Sequence, residues 1–558
     1  MIFKFPSSVR LCGLFLLAAE ALAATPRLFI DQTSFAVLVA PGSNGTAQTA
    51  NAFDHGDGLL NLTVSSSQTW LVPTIEKTTS CSLLGQCTPI QMALNTASLA
   101  AGTYTGLVTV SDSKALDAPQ NITVTVAVGG NVPSKLEYYL APGGSVSTSF
   151  TTGSGVKAAV SANTPWLAAS TTKTSVTLTL TAANTMSASD YNGTITVSGS
   201  AFSADNKQIS VLLHVSTQPI LQLSSNALEF SIAQGGTKLS YPVATANAGQ
   251  GTLTVSSVTA AAGSGTWLSA ATVTGGFTVT ADPTGLSPNV YQGTVTVASN
   301  ADNSSVVLPV ELTVEPPTSP VAFAGGAVNN GTFASGESLA QGDIIAVFGD
   351  QFTYGAAQAA ANLPLPNTLG DMQVIVNGKA VPLFYGSPGQ INFEVPIDAT
   401  IGDGTLQVMR GATGGNLIHI NISARQPRFL TGGGQYAIMT TPAGSLTGIP
   451  GSPVKAGDVV VIYMIGLGPT TPVVPSGTAT PSTTLSKVPG TTQLCFGVPT
   501  PFSTPPPCAT PDFVGLTPGF SGLYQVNVTI PSGLKSGTNP LLLLVDNVQS
   551  DQAQIPVQ

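Results

Sequence analysis

Apolar residues alternate with Thr, Ser and other polar residues along most of the chain, with a period of two. The alternation is clear in residues 122–128, 209–215 and 306–314. It is typical of strands that have one buried face and one solvated face. Clusters of Pro and Gly separate these segments, for example at residues 40–42 and 234–236. The pattern predicts an all-β protein, because no long segment of helical period competes with it.

Two motifs recur three times in the first 316 residues. Each repeat has a Trp-Leu pair, followed by a Tyr-x-Gly motif that leads into alternating Thr and Val or Ile. The motifs start at Trp70, Trp166 and Trp267 and at Tyr104, Tyr191 and Tyr291. Three Ig-like β-sandwiches of about 100 residues and seven strands each account for this spacing. The tyrosine resembles a tyrosine corner, in which the phenol packs inward and the hydroxyl bonds nearby backbone.

This set of motifs resembles the BACON-type bacterial Ig-like domains, over about residues 25–316. The resemblance implies a secreted protein of the Ig-like fold. It also implies binding of carbohydrate or mucin, which is the function proposed for that family.

A different pair of motifs occurs twice in the remaining residues. Gly342-Asp343 and Gly457-Asp458 each precede an apolar segment, and Gln-x-Asn begins at Gln390 and at Gln525. The duplication predicts two further sandwich modules, packed as a pair. We interpret Gly-Asp as the turn into a buried strand. For the amides Gln390, Asn392, Gln525 and Asn527, tying a neighbouring loop is favoured over binding a ligand.

The ordered motifs of this second part resemble the Solibacter-type C-terminal domain family of secreted acidobacterial proteins. That family has no established activity, so the resemblance implies location and architecture only. The matching segments are residues 325–333, 341–349, 363–370, 382–396, 457–469 and 518–531.

The N-terminus has the pattern of a secretory signal peptide. Lys4 and Arg10 form a positive region that precedes an apolar core at residues 11–17, and Ala21-Leu22-Ala23 is a small-x-small cleavage signal. We therefore expect a protein that is secreted or displayed on the cell surface, with no membrane span. The predicted organisation is a signal peptide at 1–23, Ig-like repeats at 24–130, 131–216 and 217–316, and C-terminal modules at 317–425 and 426–558.

Four of the five cysteines remain after removal of the signal peptide, and they form two close pairs. An exported protein meets an oxidising compartment, so we predict the disulfides Cys81–Cys87 and Cys495–Cys508. The competing interpretation is a metal site, which is disfavoured because the histidines are remote from both pairs in sequence.

Charged residues make up 8% of the chain and the net charge is −9. This composition excludes a coiled coil, a charged disordered tail and a basic nucleic-acid binder. It also predicts wet strand faces built from Thr, Ser and Asn. Lysine on an edge strand opposes pairing with another edge, and few strands of this chain carry one. We therefore expect modules or molecules to pack along their strand edges.

No catalytic constellation is recognisable, and we expect neither an enzyme nor a cofactor. The chain has no Gly-x-Ser-x-Gly motif, and His214 and His419 lie opposite the apolar faces of their strands, which predicts that they point to solvent. His55 lies in a turn. Calcium binding by the turns at 54–58 and 300–303 is disfavoured, because neither turn fits the EF-hand loop.

The tryptophans remain as candidates for function. Trp70, Trp166 and Trp267 could stack on sugars, but their regular position before Leu favours a place in the core. The leading hypothesis is a non-enzymatic adhesion or carbohydrate-binding protein whose partners are polysaccharide, mucin or cell-envelope components. The alternatives are a structural spacer or surface-layer component, and a cryptic polysaccharide hydrolase.

Overall fold

The computed structural model describes residues 25–81, 85–432, 435–497 and 506–558. The predicted signal peptide at 1–23 lies outside the described residues. The prediction of an all-β protein is confirmed: within the described ranges the chain forms 47 strands, and its one helical segment is the 3₁₀ turn Ser203–Asp205. No helix in these ranges has the length and hydropathy needed to cross a membrane.

The strands form ten sheets in five face-to-face pairs, so the described chain is a tandem series of β-sandwiches. We call the first three sandwiches repeats 1, 2 and 3. The strands of repeat 1 are β1 Leu28–Ile30, β2 Ser34–Val39, β3 Gly45–Asp54, β4 Thr63–Ser66, β5 Leu71–Ile75, β6 Thr79–Cys81, β7 Gly85–Leu94, β8 Gly102–Ser111 and β9 Gln120–Val128.

Repeats 2 and 3 follow the same plan. The strands of repeat 2 are β10 Lys135–Leu140, β11 Ser145–Thr151, β12 Lys157–Val160, β13 Leu167–Thr171, β14 Ser175–Thr181, β15 Ser189–Ser198 and β16 Gln208–Val215. Those of repeat 3 are β17 Leu221–Leu223, β18 Leu228–Ala233, β19 Leu239–Asn247, β20 Val255–Ala262, β21 Leu268–Val273, β22 Gly276–Ala281, β23 Asn289–Ser299 and β24 Val306–Glu315.

The last two sandwiches are called module a and module b. Module a contains β25 Val321–Asn329, β26 Leu339–Ala340, β27 Ile344–Asp350, β28 Gln358–Ala359, β29 Met372–Val376, β30 Lys379–Ala380, β31 Leu383–Gly386, β32 Gln390–Glu394, β33 Gly402–Arg410 and β34 Thr413–Ser423.

Module b has more short strands. It contains β35 Arg428–Phe429, β36 Thr431–Gly432, β37 Tyr436–Ala437, β38 Met439–Thr440, β39 Leu446–Thr447, β40 Val459–Ile465, β41 Thr492–Cys495, β42 Cys508–Ala509, β43 Phe513–Leu516, β44 Tyr524–Thr529, β45 Gly537–Val545, β46 Val548–Gln549 and β47 Ala553–Val557.

Each sandwich joins an early strand to its last strand in parallel. The pairs are β2 with β9, β10 with β16, β18 with β24, β26 with β34, and β37 with β47. These strands pair with their other neighbours in antiparallel orientation, as in an Ig-like sandwich. The inward residues of the paired sheets form one apolar core in each sandwich.

The repeated Trp-Leu and Tyr-x-Gly motifs meet inside each repeat. Ala placed at Gly106, Gly193 or Gly293 would bring its Cβ to 3.2, 3.1 or 3.2 Å from the Cζ2 of the tryptophan in the same repeat. The same Cβ would lie 2.9, 3.1 or 2.7 Å from the Cδ2 of the following leucine. The glycine therefore makes room for the Trp-Leu pair, which explains why the two motifs occur together.

The three motif tyrosines form the predicted corners. Each hydroxyl donates a hydrogen bond to the carbonyl oxygen four residues earlier, at 3.1 Å for Tyr104, 3.0 Å for Tyr191 and 2.9 Å for Tyr291. The ring of each packs against the core of its repeat. These bonds fix the connection that enters the next-to-last strand of each repeat.

Both Gly-Asp motifs make the predicted turn, but their carboxyl groups differ in burial. Gly342 and Gly457 have φ values of +72° and +86°. The Asp458 carboxylate accepts a hydrogen bond from the Lys455 N–H at 2.9 Å and is half-buried. Asp343 is fully buried, accepts bonds from Asn329 Nδ2 at 2.6 Å and from the Ile344 N–H at 2.9 Å, and faces Gly466 of module b.

A buried carboxyl group helps to hold module b on module a. Glu394 of module a accepts hydrogen bonds from Ser521 Oγ and from the Gly477 N–H, both of module b. Burial raises the pKa of Glu394 and raises that of Asp343 to about 7, because desolvation disfavours the charged form.

Repeat 1 also contacts module a, although many residues separate them in sequence. The Asp117 N–H donates to the Leu417 carbonyl at 3.0 Å, and Asp117 Oδ1 accepts from the His419 N–H at 2.7 Å. Arg27 forms an ion pair with the other oxygen of Asp117. The loop that carries Asp117 therefore covers part of the edge of β34.

We predict that Gly293→Ala lowers the free energy of unfolding of repeat 3 by about 1–3 kcal/mol, because the added methyl group overpacks the space next to Leu268 and Trp267. Denaturant unfolding followed by tryptophan fluorescence measures the change. Gln292→Ala, at the exposed neighbouring position, serves as the control and leaves the stability within about 0.5 kcal/mol. Equal effects of the two changes would contradict the packing explanation.

We predict that Asp343→Asn flattens the pH dependence of stability between about pH 4 and pH 7. A carboxyl group with a raised folded-state pKa binds protons more readily in the folded state, so it contributes stability below its unfolded pKa of 3.8 that is lost as the pH rises to about 7.

Thermal unfolding of the wild type and the variant at pH 4.5 and pH 7.5 measures this difference, which we expect to be on the order of 1–4 kcal/mol. Asp458→Asn removes the carboxyl group of the duplicated motif at a half-buried position and is the matched control. A variant with the same pH dependence as the wild type would refute the role of Asp343.

Candidate functional site

The amides that the sequence singled out lie on the outer faces of modules a and b. On β32, Ile391 and Phe393 enter the core, and the alternate residues Gln390 and Asn392 are half-exposed on the opposite face. On β44, Gln525 and Asn527 have the same placement. Alternation along the strand therefore presents two amide groups side by side to the outside of each sandwich.

The expectation that these amides tie neighbouring loops is wrong. Gln390 Nε2 donates to Asn392 Oδ1 at 2.7 Å, and Gln525 Nε2 donates to Asn527 Oδ1 at 3.0 Å. Each glutamine therefore bonds the asparagine two residues along its own strand. The Gln Oε1 and Asn Nδ2 atoms make no hydrogen bond with the described part of the chain, so an acceptor and a donor face outward.

Aromatic side chains surround the amide pair of module a. Phe348 on β27 lies opposite Gln390, and Tyr385 on β31 lies opposite Asn392. The ring of Phe333 is 6.3 Å from that of Phe348. We use the name Phe348 face for the set of Phe323, Phe333, Phe348, Tyr385, Gln390 and Asn392.

Local irregularities of the backbone expose two of these rings. The register of β25 against β27 shifts between Ala322 and Ala327, and Phe323 lies within this bulge with 47% of its surface exposed. Phe333 has a φ of +56° and is 51% exposed. Positive φ is uncommon for a bulky residue. Two large apolar side chains thus remain in contact with water beside a well-packed core.

A groove of about 410 Å³ lies where module b meets this side of module a. Ile344, on the same face of β27 as Phe348, lines the groove together with Phe384. Phe520 and Leu523 of module b line its other side. The groove extends the apolar surface from the Phe348 face toward module b.

All six side chains of the Phe348 face are uncharged, and carboxyl groups flank them. Asp350 lies two residues after Phe348 on β27, and Glu394 lies two residues after Asn392 on β32. Desolvation and the neighbouring carboxylate of Glu315 together raise the pKa of Asp350 to about 6. The local field therefore favours neutral ligands over anions.

The three tryptophans lie inside the repeats. Trp70 and Trp166 are 6% exposed and Trp267 is 2% exposed, and each belongs to the apolar core of its repeat. These positions agree with the interpretation that the tryptophan rings fill the cores. A ring with so little exposed surface offers no face for a sugar to stack on.

Both predicted cysteine pairs are disulfides. Cys81–Cys87 joins β6 to β7, and Cys495–Cys508 joins β41 to β42. Disulfides of this kind are typical of proteins in oxidising compartments.

The candidate calcium turns are closed by hydrogen bonds within the chain. Asp54 Oδ1 accepts from the N–H groups of Arg27 and Gly56, each at 2.9 Å. Asn300 bonds the backbone of residues 252 and 254, and Asn303 bonds both backbone groups of Leu221. These asparagine side chains join loops of the sandwich.

His214 and His419 lie on outer strand faces, as expected, but they do not simply point to solvent. His214 bonds Asp190 Oδ1 through Nδ1 at 2.6 Å and Glu137 Oε1 through Nε2 at 3.1 Å. His419 Nε2 lies 3.0 Å from Asp403 Oδ1. His55 stacks on Phe29 with ring centroids 4.5 Å apart. The carboxylates that hold His214 come from other strands, which sequence spacing did not indicate.

A second groove, of about 570 Å³, crosses the outer face of repeat 3 and brings two carboxyl groups together. Glu229 and Glu311 are opposite each other on the parallel strands β18 and β24, and Gln292 Nε2 donates to Glu311 at 3.4 Å. A general acid in glycoside hydrolysis is a carboxyl group kept protonated by burial. Glu229 is exposed and Glu311 is only half-buried, so the groove lacks that environment.

No protein-family model matches the chain, and no curated protein matches it. Among solved structures, it is similar to Sidekick-1 immunoglobulin domains 1–5, with 10% identity, a TM-score of 0.20 and coverage of 96% of this chain and 99% of that one. It is similar to the human desmocollin-1 ectodomain, with 10% identity, a TM-score of 0.16 and coverage of 71% and 79%.

It is also similar to the endo-fucoidan hydrolase MfFcnA4 of glycoside hydrolase family 107, with 14% identity, a TM-score of 0.18 and coverage of 50% and 43%. The chain thus spans less than half the length of that hydrolase. Likeness at this level leaves the function to be inferred from the side chains of this chain.

Proposed function

We propose that this protein is a secreted, non-enzymatic, multidomain Ig-like protein of the cell surface or extracellular matrix that binds neutral polysaccharide through the Phe348 face. The observation that carries the proposal is the combination of exposed aromatic rings with amide groups that retain free hydrogen-bonding capacity. The disulfides fit an extracellular location.

Sugars present apolar C–H faces and rims of hydroxyl groups, and the Phe348 face complements both. The rings of Phe333 and Phe348 supply apolar surface on which a pyranose ring can stack. Gln390 Oε1 can accept a hydrogen bond from a sugar hydroxyl, and Asn392 Nδ2 can donate one. Because these two amides bond each other, the geometry of both groups is set before a ligand arrives.

The charge distribution indicates the class of sugar. The face itself is neutral, the flanking Asp350 is an exposed carboxyl group, and the chain has a net charge of −9. Uronic or sulfated polysaccharides would meet repulsion from this surface. Neutral glycans such as β-glucans, xylans and mannans meet none.

We predict that Phe348→Ala lowers the affinity for the neutral polysaccharide that the mature protein binds by at least about tenfold, which corresponds to about 1.4 kcal/mol or more. Removal of the ring deletes the stacking surface beside Gln390. Binding is measured by a polysaccharide array and then by isothermal titration calorimetry. We expect the variant to keep the thermal stability of the wild type, because Phe348 points away from the core.

Tyr241→Ala removes an aromatic ring that is 48% exposed on β19 of repeat 3, and we expect this control to bind as the wild type does. A Phe348→Ala variant with unchanged affinity would move the site elsewhere. A mature protein that binds no neutral glycan of the array would contradict the proposed function.

A further inference from the structure

We propose that module b carries a second binding face, formed by Tyr463, Gln525 and Asn527 over Phe513, so that one chain holds a polymeric neutral glycan at two points. This inference rests on the proposed function of module a and extends it to the size of the ligand. We use the name Tyr463 face for these four residues.

The strand register reproduces the arrangement of module a. Tyr463 lies opposite Gln525, as Phe348 lies opposite Gln390. An aromatic residue also lies opposite the asparagine in both modules: Phe513 opposite Asn527, and Tyr385 opposite Asn392. The duplication therefore conserves two aromatic residues around a glutamine–asparagine pair.

The hydrogen bonding is duplicated as well. Gln525 Nε2 donates to Asn527 Oδ1 at 3.0 Å. Gln525 Oε1 and Asn527 Nδ2 make no bond to the described residues, so this face also offers one acceptor and one donor to the outside. The sandwich fold does not require a glutamine–asparagine pair in either module. A pair of Thr or Ser residues would suit a solvated strand face equally well.

The two faces differ in their aromatic surface. Phe513 is 8% exposed, and its ring lies over Gly515, where an added Cβ would come within 2.6 Å of its Cζ. Tyr463 is half-exposed, and its hydroxyl lies 3.5 Å from Thr440 Oγ1. Tyr463 is therefore the stacking ring of this face, with Phe513 as its apolar floor.

The packing of the modules leaves both faces accessible. Module b contacts module a through the segments 476–477 and 521–522, through the ion pair of Arg428 with Glu337, and where Gly466 lies against Asp343. These segments lie outside the Tyr463 face. A ligand that spans both faces gains from the high effective concentration of the second site once the first is occupied.

The test uses the full mature chain, with cellohexaose, xylohexaose and mannohexaose as short probes and the corresponding soluble polysaccharides as long probes. Calorimetry should give two bound hexasaccharides per chain for the wild type and one each for Tyr463→Ala and Phe348→Ala. Each single variant should lose roughly 100-fold or more in affinity for the polysaccharide. Tyr463→Phe keeps the ring and should bind as the wild type does, and Tyr241→Ala again controls for loss of an exposed ring.

The two proposals fail in different ways. One bound hexasaccharide in the wild type, abolished by Phe348→Ala and unaffected by Tyr463→Ala, would overturn the second face and leave the function of module a intact. If neither the wild type nor any variant binds the short or long probes, the proposed function itself is overturned. A loss of thermal stability in Tyr463→Ala that Tyr463→Phe does not share would assign the residue to packing, and would also overturn the second face.

Discussion

The outer faces of the sheets carry few charges, so strand pairs on these faces are joined mainly by neutral groups. In repeat 2, cross-strand hydroxyl pairs form a ladder: Ser147 with Thr179 at 3.0 Å and Ser149 with Thr177 at 2.8 Å. Such pairs fix the register without desolvating an ion. Because charged side chains are few, aromatic rings and amides are prominent on the outer faces of modules a and b.

The sequence was sufficient to predict the three repeats because two motifs in each repeat contact each other. A Trp-Leu pair and a Tyr-x-Gly glycine fit together only when the strands that carry them are packed, so their joint recurrence indicated a common fold. The Phe348 face could not be predicted in this way. Phe348 lies opposite Gln390 only because of the strand register. Whether the Gln390 side chain bonds Asn392 on its own strand or a neighbouring loop depends on interatomic distances, which the spacing of residues in the sequence does not give.

The duplicated Gly-Asp motif shows how one local structure serves two environments. In both modules the glycine adopts positive φ and the aspartate accepts a backbone N–H, so the sequence-based interpretation of the turn was correct. Burial differs because module b packs over Asp343, whereas no module packs over Asp458 in the described chain. Burial at the junction raises the pKa of Asp343, a property that the motif alone does not encode.

The contact of repeat 1 with module a bears on the spacer hypothesis. Lys-poor strands have few charged guards at their edges, and we expected modules to pack along them. Asp117, which is 3% exposed, covers the edge of β34 through its N–H and one carboxylate oxygen, while Arg27 of the same repeat holds the other oxygen. A spacer gains length when modules lie end to end, whereas a contact between the first and fourth sandwiches folds the chain back on itself. The buried contact at Asp117 therefore argues against a chain whose modules all lie end to end.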